Sequence, residues 1–221
     1  MTTTTPWEIP SVQAGYERDF PKVVEIPTRL VVINTVSGGG GSSVGRELQE
    51  RLSPRCGVMR NFSTRTQRAA VEDMRYIFGD LAEFDAQVSE NNVISFIDWL
   101  PNGCRYAVLR SEIERQRSFD VAVYENTHFG WVLKSQDPER VTNIFLVCEH
   151  EQNIADRLRQ RRSETMPEVV SRTRSAIEDQ RHVLEHRAEL LASGKLDAVI
   201  ATDELSVDQV VDEVQRVLAR S

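Results

Sequence analysis

Apolar residues are distributed along this chain in two alternating patterns. Mainly apolar runs occupy 28–35, 93–99, 120–124, 141–148 and 196–201. Runs of that length suit strands buried on both faces, as in a parallel sheet. Between them, apolar positions recur at helical spacing. Val44, Leu48 and Leu52 mark a helix over 42–53, and Leu81, Phe84 and Val88 mark a second. Val207, Val210, Val211, Val214, Val217 and Leu218 form one face of a closing helix over 206–218. Residues 153–191 are helical in pattern and highly charged, with an interruption near 163–167. A short helix over 108–117 carries Ser111 and Glu114 in capping-box spacing, after a turn at Asn102 and Gly103. Strands alternating with helices predict an α/β fold, with a mainly parallel sheet flanked by helices. The domain spans 28–221. Residues 1–27 form an N-terminal extension, in which the threonine repeat and Pro6, Pro10, Pro21 and Pro27 argue against regular structure.

The first apolar run ends in the most informative stretch, 30–46, LVVINTVSGGGGSSVGR. Strand, glycine-rich turn and helix follow one another. Glycines let backbone N–H groups turn inward around a phosphate, and the helix N-terminus adds partial positive charge. Ser37, Gly38, Gly39, Gly40, Gly41, Ser42 and Ser43 are therefore the candidate phosphate-binding residues. The full P-loop signature, G-x-x-x-x-G-K-[ST], is incomplete. With Gly40 as its second glycine, Thr35 stands at the first, Gly41 at the lysine and Ser42 at the magnesium-binding hydroxyl. The stretch has the shape of a phosphate cradle without its charge.

Downstream segments supply arginines. Ser63, Thr64 and Arg65 with Arg68 make an R-x-x-R segment beside hydroxyls, and Tyr76-Ile77-Phe78 follows as Y-x-F. Two guanidinium forks at that spacing suit the phosphate of a nucleotide. Further on come Asp98, a turn ending in Tyr106, and Glu125 after an apolar run. Then Arg157, Arg161 and Arg172 recur in an R-L-x-x-R…R pattern within 157–176. In this order, over most of 28–218, the segments resemble the guanylate kinase family. The resemblance implies a P-loop NTPase-type sheet with a small nucleoside monophosphate-binding insert at about 58–108 and an arginine-rich helical lid at 153–176. It implies that Ser63, Arg65, Arg68, Tyr76 and Tyr106 bind the monophosphate, and that Asp98 reads the guanine edge. Glu125 would supply an acceptor-side carboxylate, with Asn126 or Thr127 at the second acidic position. Arg157, Arg161 and Arg172 would be the catalytic cations, closing over the donor phosphates to stabilise charge on the transferred group. ATP and Mg2+ are the implied cofactors, with Ser42 as metal ligand. Thr202 stands where the family has an asparagine that contacts adenine.

Two functional readings follow. One is a divergent nucleotide phosphotransferase, moving a phosphoryl group from ATP to a GMP-like nucleoside monophosphate with a weakened or altered donor site. Arg46, one turn into the helix, or a lid arginine would then replace the lysine, and Gly41→Lys is expected to raise ATP affinity. The other is a catalytically inactive guanylate kinase-like domain that binds a nucleotide, another phosphorylated ligand or a protein partner.

Bulk properties narrow the setting. Net charge is −7 over 221 residues, which argues against a nucleic-acid partner. No apolar run approaches the roughly 18 residues of a membrane span. The N-terminus lacks the basic and apolar regions of a secretory signal. Cys56, Cys104 and Cys148 are far apart in sequence, as expected for reduced thiols in the cytoplasm. Of 27 basic residues only Lys22, Lys134 and Lys195 are lysine, so any charge at the loop has to come mainly from arginine. His128 is read as a surface or packing residue.

Overall fold

The computed structural model describes residues 12–14, 25–67, 75–99, 103–126, 128–160 and 165–220. Its strands are β1 (Val12–Ala14), β2 (Arg29–Thr35), β3 (Cys56–Met59), β4 (Asn61–Ser63), β5 (Tyr76–Phe78), β6 (Val93–Trp99), β7 (Cys104–Leu109), β8 (Val121–Asn126), β9 (Val141–Val147) and β10 (Ala198–Ala201). Its helices are α1 (Gly41–Leu52), α2 (Leu81–Ser89), α3 (Arg110–Arg115), α4 (Phe129–Gln136), α5 (Glu151–Gln160), α6 (Met166–Glu185), α7 (Arg187–Ala192) and α8 (Val207–Leu218).

A five-stranded parallel sheet in the order β10-β9-β2-β8-β3 forms the core, with β2 in the middle. Side chains alternate across it. Val31 and Ile33 face Val44 and Leu48 of α1 and Val210, Val211 and Val214 of α8. Leu30 and Val32 face the other way, onto Phe129 and Leu133 of α4. Phe145 and Val147 pack under Ile154 and Leu158 of α5 and Val169 and Ala176 of α6. Cover on both faces is why these strands read as mainly apolar runs. Leu48, fully buried on α1, contributes about 1.5–3 kcal/mol by leaving water. It thereby fixes the helix that carries the phosphate loop.

A second sheet, ordered β1-β6-β7-β4-β5, stands beside the carboxyl end of the first. The sequence reads 58–78 as a polar stretch and places no strand at 104–109; the structure places β3, β4, β5 and β7 there. β3, β4 and β5, at three or four residues, are too short to show a period, and their pairing is non-local; β7 is longer and returns as a hairpin partner of β6. Val12–Ala14 likewise pairs antiparallel with Ile97, Asp98 and Trp99, so this part of the N-terminal stretch is regular. Ser111 is not a cap. It lies inside α3, and Asn92 accepts from the Ser111 N–H at 2.9 Å through its side chain and from the Arg110 N–H at 2.7 Å through its carbonyl. The interruption near 163–167 separates α5 from α6, whose first turn is closed by Thr165 donating to Glu168. No described helix is long and apolar enough to cross a membrane.

Alternation decides which residues of the second sheet face the first. Ile97 pairs with Tyr106, and Ser63 with both Tyr106 and Phe78. These positions share one face with Asn61, Tyr76 and Trp99. Phe62, Phe96, Asp98 and Arg105 occupy the other, against Phe84 of α2.

The junction between the sheets is one residue long. Arg60 separates β3 from β4, and Glu112 of α3 holds it by accepting from its backbone N–H at 3.1 Å and its guanidinium at 2.7 Å. Arg115 joins the same carboxylate at 2.9 Å. Glu112 is only 3% exposed. Burial pushes its carboxyl up, but Arg60 and Arg115 outweigh burial and hold it below the usual value. Its folded pKa is therefore the lower one. The stabilisation is complete above the ordinary carboxylate range and is lost as pH falls through the folded value. Glu112→Gln is expected to lower unfolding stability at neutral pH by about 1–3 kcal/mol, the range for hydrogen bonds to charged groups. Urea titrations should show that difference shrinking below about pH 4; an unchanged midpoint at neutral pH would remove this junction from the stability of the fold.

Candidate nucleotide site

The loop after β2 is built by sterics. Gly38 and Gly40 take φ of +84° and +94°, the left-handed region that costs glycine little. The Gly39 N–H closes back on the Val36 carbonyl at 2.9 Å. Helix α1 begins at Gly41 with no side-chain cap and no acidic residue in its first turn. Its N-terminal N–H groups and partial charge are therefore directed into the loop.

Thr35 explains two of the glycines. A Cβ on Gly39 would lie 2.0 Å from Thr35 Oγ1, and one on Gly41 would lie 2.4 Å from Thr35 Cγ2. The threonine side chain fills the space between both positions. Thr35 and Gly41, two separate departures from the P-loop signature, are thus one packing arrangement. The expectation that Gly41→Lys simply restores a binding charge does not hold here, because a lysine Cβ collides with Thr35.

Neither described lysine reaches the loop. Lys134 Nζ is bound by the Pro138 and Val141 carbonyls and by Asp197, all within 2.9 Å. Val141 begins β9, at the end of the sheet opposite the loop. Lys195 donates to Ser135 in the same region.

Three arginines reach the loop from three other elements. Arg157 of α5 approaches the Gly38 carbonyl at 3.4 Å and the Thr202 hydroxyl at 3.5 Å. Arg172 of α6 donates to Ser37 Oγ at 3.1 Å, with its Cζ 5.2 Å from the Trp99 ring. Arg75, immediately before β5, donates to Ser42 Oγ and lies 3.0 Å from Glu125 Oε2. Sequence reasoning anticipated the first two and missed Arg75. The available signal was its place next to Tyr76, in a chain whose loop lacked a cation. Arg46 borders the same cavity as Ser42, Arg75 and Glu125, one of about 250 Å³.

Two further cavities flank the loop. One of about 300 Å³ lies between Gly38–Gly40, Arg157 and an apolar wall of Val44, Val207 and Val210. Thr202 lines it, but its hydroxyl donates inward to the Val147 carbonyl at 3.1 Å. The other, about 110 Å³, is the cleft between the sheets, lined by Ser37, Tyr76, Trp99, Tyr106, Glu125, His128 and Arg172. Asn61 fixes its floor. It accepts from Tyr124 Oη and from Asn126 Nδ2 and donates to the Glu125 carbonyl. His128 is buried at the cleft, not on the surface, and burial lowers its pKa to about 3, so it is neutral. Burial also pushes the Glu125 carboxyl up, with Arg75 and Ser42 opposing.

The structure thus gathers Ser37–Ser43, Tyr76, Tyr106, Glu125, Arg157 and Arg172 around the loop and the three cavities that border it. Arg65 lies over the Tyr76 and Phe78 rings at 4.6 and 5.0 Å. Ser63 is buried, and its hydroxyl accepts from the Arg65 N–H at 3.3 Å. Arg68 and Arg161 lie outside the described residues. Asp98 is a correction. Ile97 and Trp99 face the cleft, so Asp98 points away and pairs with Arg105 at 2.7 and 2.9 Å. Ser42 as a magnesium ligand is a second correction. Mg2+ requires near-octahedral oxygen ligands at about 2.0–2.1 Å, whereas the Ser42 hydroxyl and the Glu125 carboxylate are both engaged by a guanidinium. With Arg75 in place this donor set does not fit the ion.

Comparison with known proteins agrees with this geometry. No family model matches the chain. A guanylate kinase from Thermobifida fusca (strain YX) is 28% identical over 211 residues, covering 94% of this chain and 96% of that protein. The crystal structure of guanylate kinase from Anaplasma phagocytophilum shares the fold, with a TM-score of 0.59 at 19% identity over 91% of this chain and 87% of that one. A glycine-rich loop on the central strand of a parallel sheet and an aromatic cleft beside it thus stand in a chain that is similar to a guanylate kinase over nearly its whole length and shares that fold.

Proposed function

We propose that the chain is a nucleotide phosphotransferase that takes ATP on the loop 37–43 and a nucleoside monophosphate in the cleft between the sheets. The convergence of Arg75, Arg157 and Arg172 on a loop without lysine carries this reading. Donor phosphates would lie against the loop N–H groups, with adenine in the cavity walled by Val44, Val207 and Val210. The acceptor phosphate would lie near Arg65 and Tyr76, and its base would stack among Tyr76, Trp99 and Tyr106. An acceptor phosphate oxygen attacks the γ-phosphorus while the bond to the β-phosphate oxygen breaks, giving ADP and a nucleoside diphosphate. A monophosphate is already largely ionised at neutral pH, its second pKa being about 6. No general base is required, and neutral His128 shapes the cleft without moving a proton. Arg157 and Arg172 offset the charge that develops on the transferred group. With Asp98 turned away, no carboxylate at that position reads a guanine edge, so base preference follows stacking. Cys56, Cys104 and Cys148 form no disulfide among the described residues, which fits a reducing compartment, and we place the protein in the cytoplasm.

The reading is tested by ADP release from ATP across a panel of nucleoside monophosphates, beside calorimetric binding of each ligand. Turnover with at least one monophosphate is expected. Saturable binding with no turnover would replace transfer by the inactive binding domain. If transfer occurs, Arg172→Ala should lower kcat by about 100- to 1000-fold, the usual effect of losing one preorganised charged donor; loss in KM alone would reassign Arg172 to binding.

The loop packing gives a separate prediction. Gly41→Lys alone should destabilise the fold by about 1–3 kcal/mol through overpacking against Thr35. Thr35→Gly with Gly41→Lys should recover most of that loss, despite the added glycine. Thermal melts of the parent, both single variants and the double variant form the cycle. A Gly41→Lys single variant as stable as the parent would show that Thr35 does not constrain this position.

A further inference from the structure

Four observations meet at one point between α1 and β8. Arg75 donates to Ser42 Oγ and sits 3.0 Å from Glu125 Oε2. Glu125 is seated against the helix, because Gly45 leaves room for it: a Cβ there would lie 2.4 Å from Oε1. The Glu125 side chain is 16% exposed, so its charge is met mainly by protein groups. The next residue on β8 toward the cleft, Asn126, is an amide whose Oδ1 is committed to the His128 and Phe129 N–H groups at 2.6 and 3.0 Å.

In P-loop NTPases a loop hydroxyl and a carboxylate at the end of a neighbouring strand are the groups that hold a divalent ion against the donor phosphates. Here that pair is bridged by a guanidinium. The charge also matches. One carboxylate balances one monovalent cation, whereas a divalent ion in the same place would face an arginine within ion-pair distance and gain no second carboxylate from Asn126. A guanidinium carries five N–H donors in a fixed fork that suits phosphate oxygens. Nη1 serves Ser42 and Glu125, and the remaining edge of the fork is the part that would meet phosphate.

We propose that Arg75 is a built-in replacement for the divalent cation at this phosphate loop, so that the chain binds nucleoside triphosphate without metal. The proposal deepens the reading of loop 37–43 as a donor-phosphate site and rests on it. It also accounts for two departures from the family pattern at once: no lysine at Gly41 and one carboxylate at the end of β8. A cation delivered from the second sheet has a further consequence. Donor binding is coupled to the position of the insert that carries the acceptor cleft, since Arg75 immediately precedes Tyr76, the first residue of β5.

The experiment is calorimetric titration of ATP into the full-length protein, in EDTA and in excess Mg2+. The parent should bind with affinities within about threefold of each other in the two buffers. Arg75→Ala should weaken binding in EDTA by at least about tenfold, the equivalent of 1.4 kcal/mol, and excess Mg2+ should restore much of it by filling the vacated place. Arg75→Lys, which keeps the charge but not the fork, should fall between. Circular dichroism melts of each variant establish that it folds, and Arg75→Gln repeats the test with a side chain of intermediate size. ATP binding by the parent only with Mg2+ would overturn the proposal while leaving the donor-site reading intact. So would Arg75→Ala and Arg75→Gln that bind in EDTA as the parent does. A parent that binds ATP in neither buffer would overturn both.

Discussion

Phosphate bound at a glycine loop must be met by positive charge, and in this chain the charge comes from outside the loop. Thr35 occupies the space that a lysine Cβ at position 41 would need. Lys134 and Lys195 are held at the other end of the sheet. What remains is a cradle of backbone N–H groups and a helix N-terminus, whose partial charge is only about half an elementary charge. Arg75, Arg157 and Arg172 each reach the loop from a different part of the chain and are placed where they could supply that charge. The site therefore depends on tertiary structure to an unusual degree, since none of its cations is fixed by the loop itself.

The elements that aim those cations are held by buried polar contacts as well as by apolar packing. Glu112 ties Arg60 at the one-residue junction between the sheets, and so sets where β4 and β5 stand relative to the core. Asn61, at the start of β4, is bonded to Tyr124, Glu125 and Asn126 of β8. β5 runs parallel to β4 in register from Asn61 and Tyr76 onward, which fixes Arg75 at the mouth of the loop. An error in any of these contacts would displace the guanidinium from Ser42 without altering the loop. Alternation along β6 has the same kind of authority over the cleft. It turns Trp99 inward and Asp98 outward, so the cleft is walled there by aromatic rings and not by a carboxylate.

Much of this was legible in the residues. Strands β2, β6, β8 and β9 and helices α1, α2 and α8 announce themselves through long apolar runs or helical periodicity, because packing against the core demands that pattern wherever the element lies. The phosphate loop was legible for a similar reason: positive φ and close backbone approach require glycine locally. The spacing of Arg157 and Arg172 was legible because both lie on helices, where sequence separation fixes direction. By contrast, β1, β3, β4 and β5 are three or four residues long and paired with distant segments, so no local period identifies them. The face on which Asp98 lies, the collision that links Thr35 to Gly41 across five residues of turn, and the bridge from Arg75 to Ser42 and Glu125 all depend on register and on contacts between residues up to 50 apart. The sequence by itself determined that a glycine-rich loop without a lysine follows the first strand of the domain. Only the tertiary structure decided which cations stand beside that loop, because charge acts through space and its nearest source is not its neighbour in the chain.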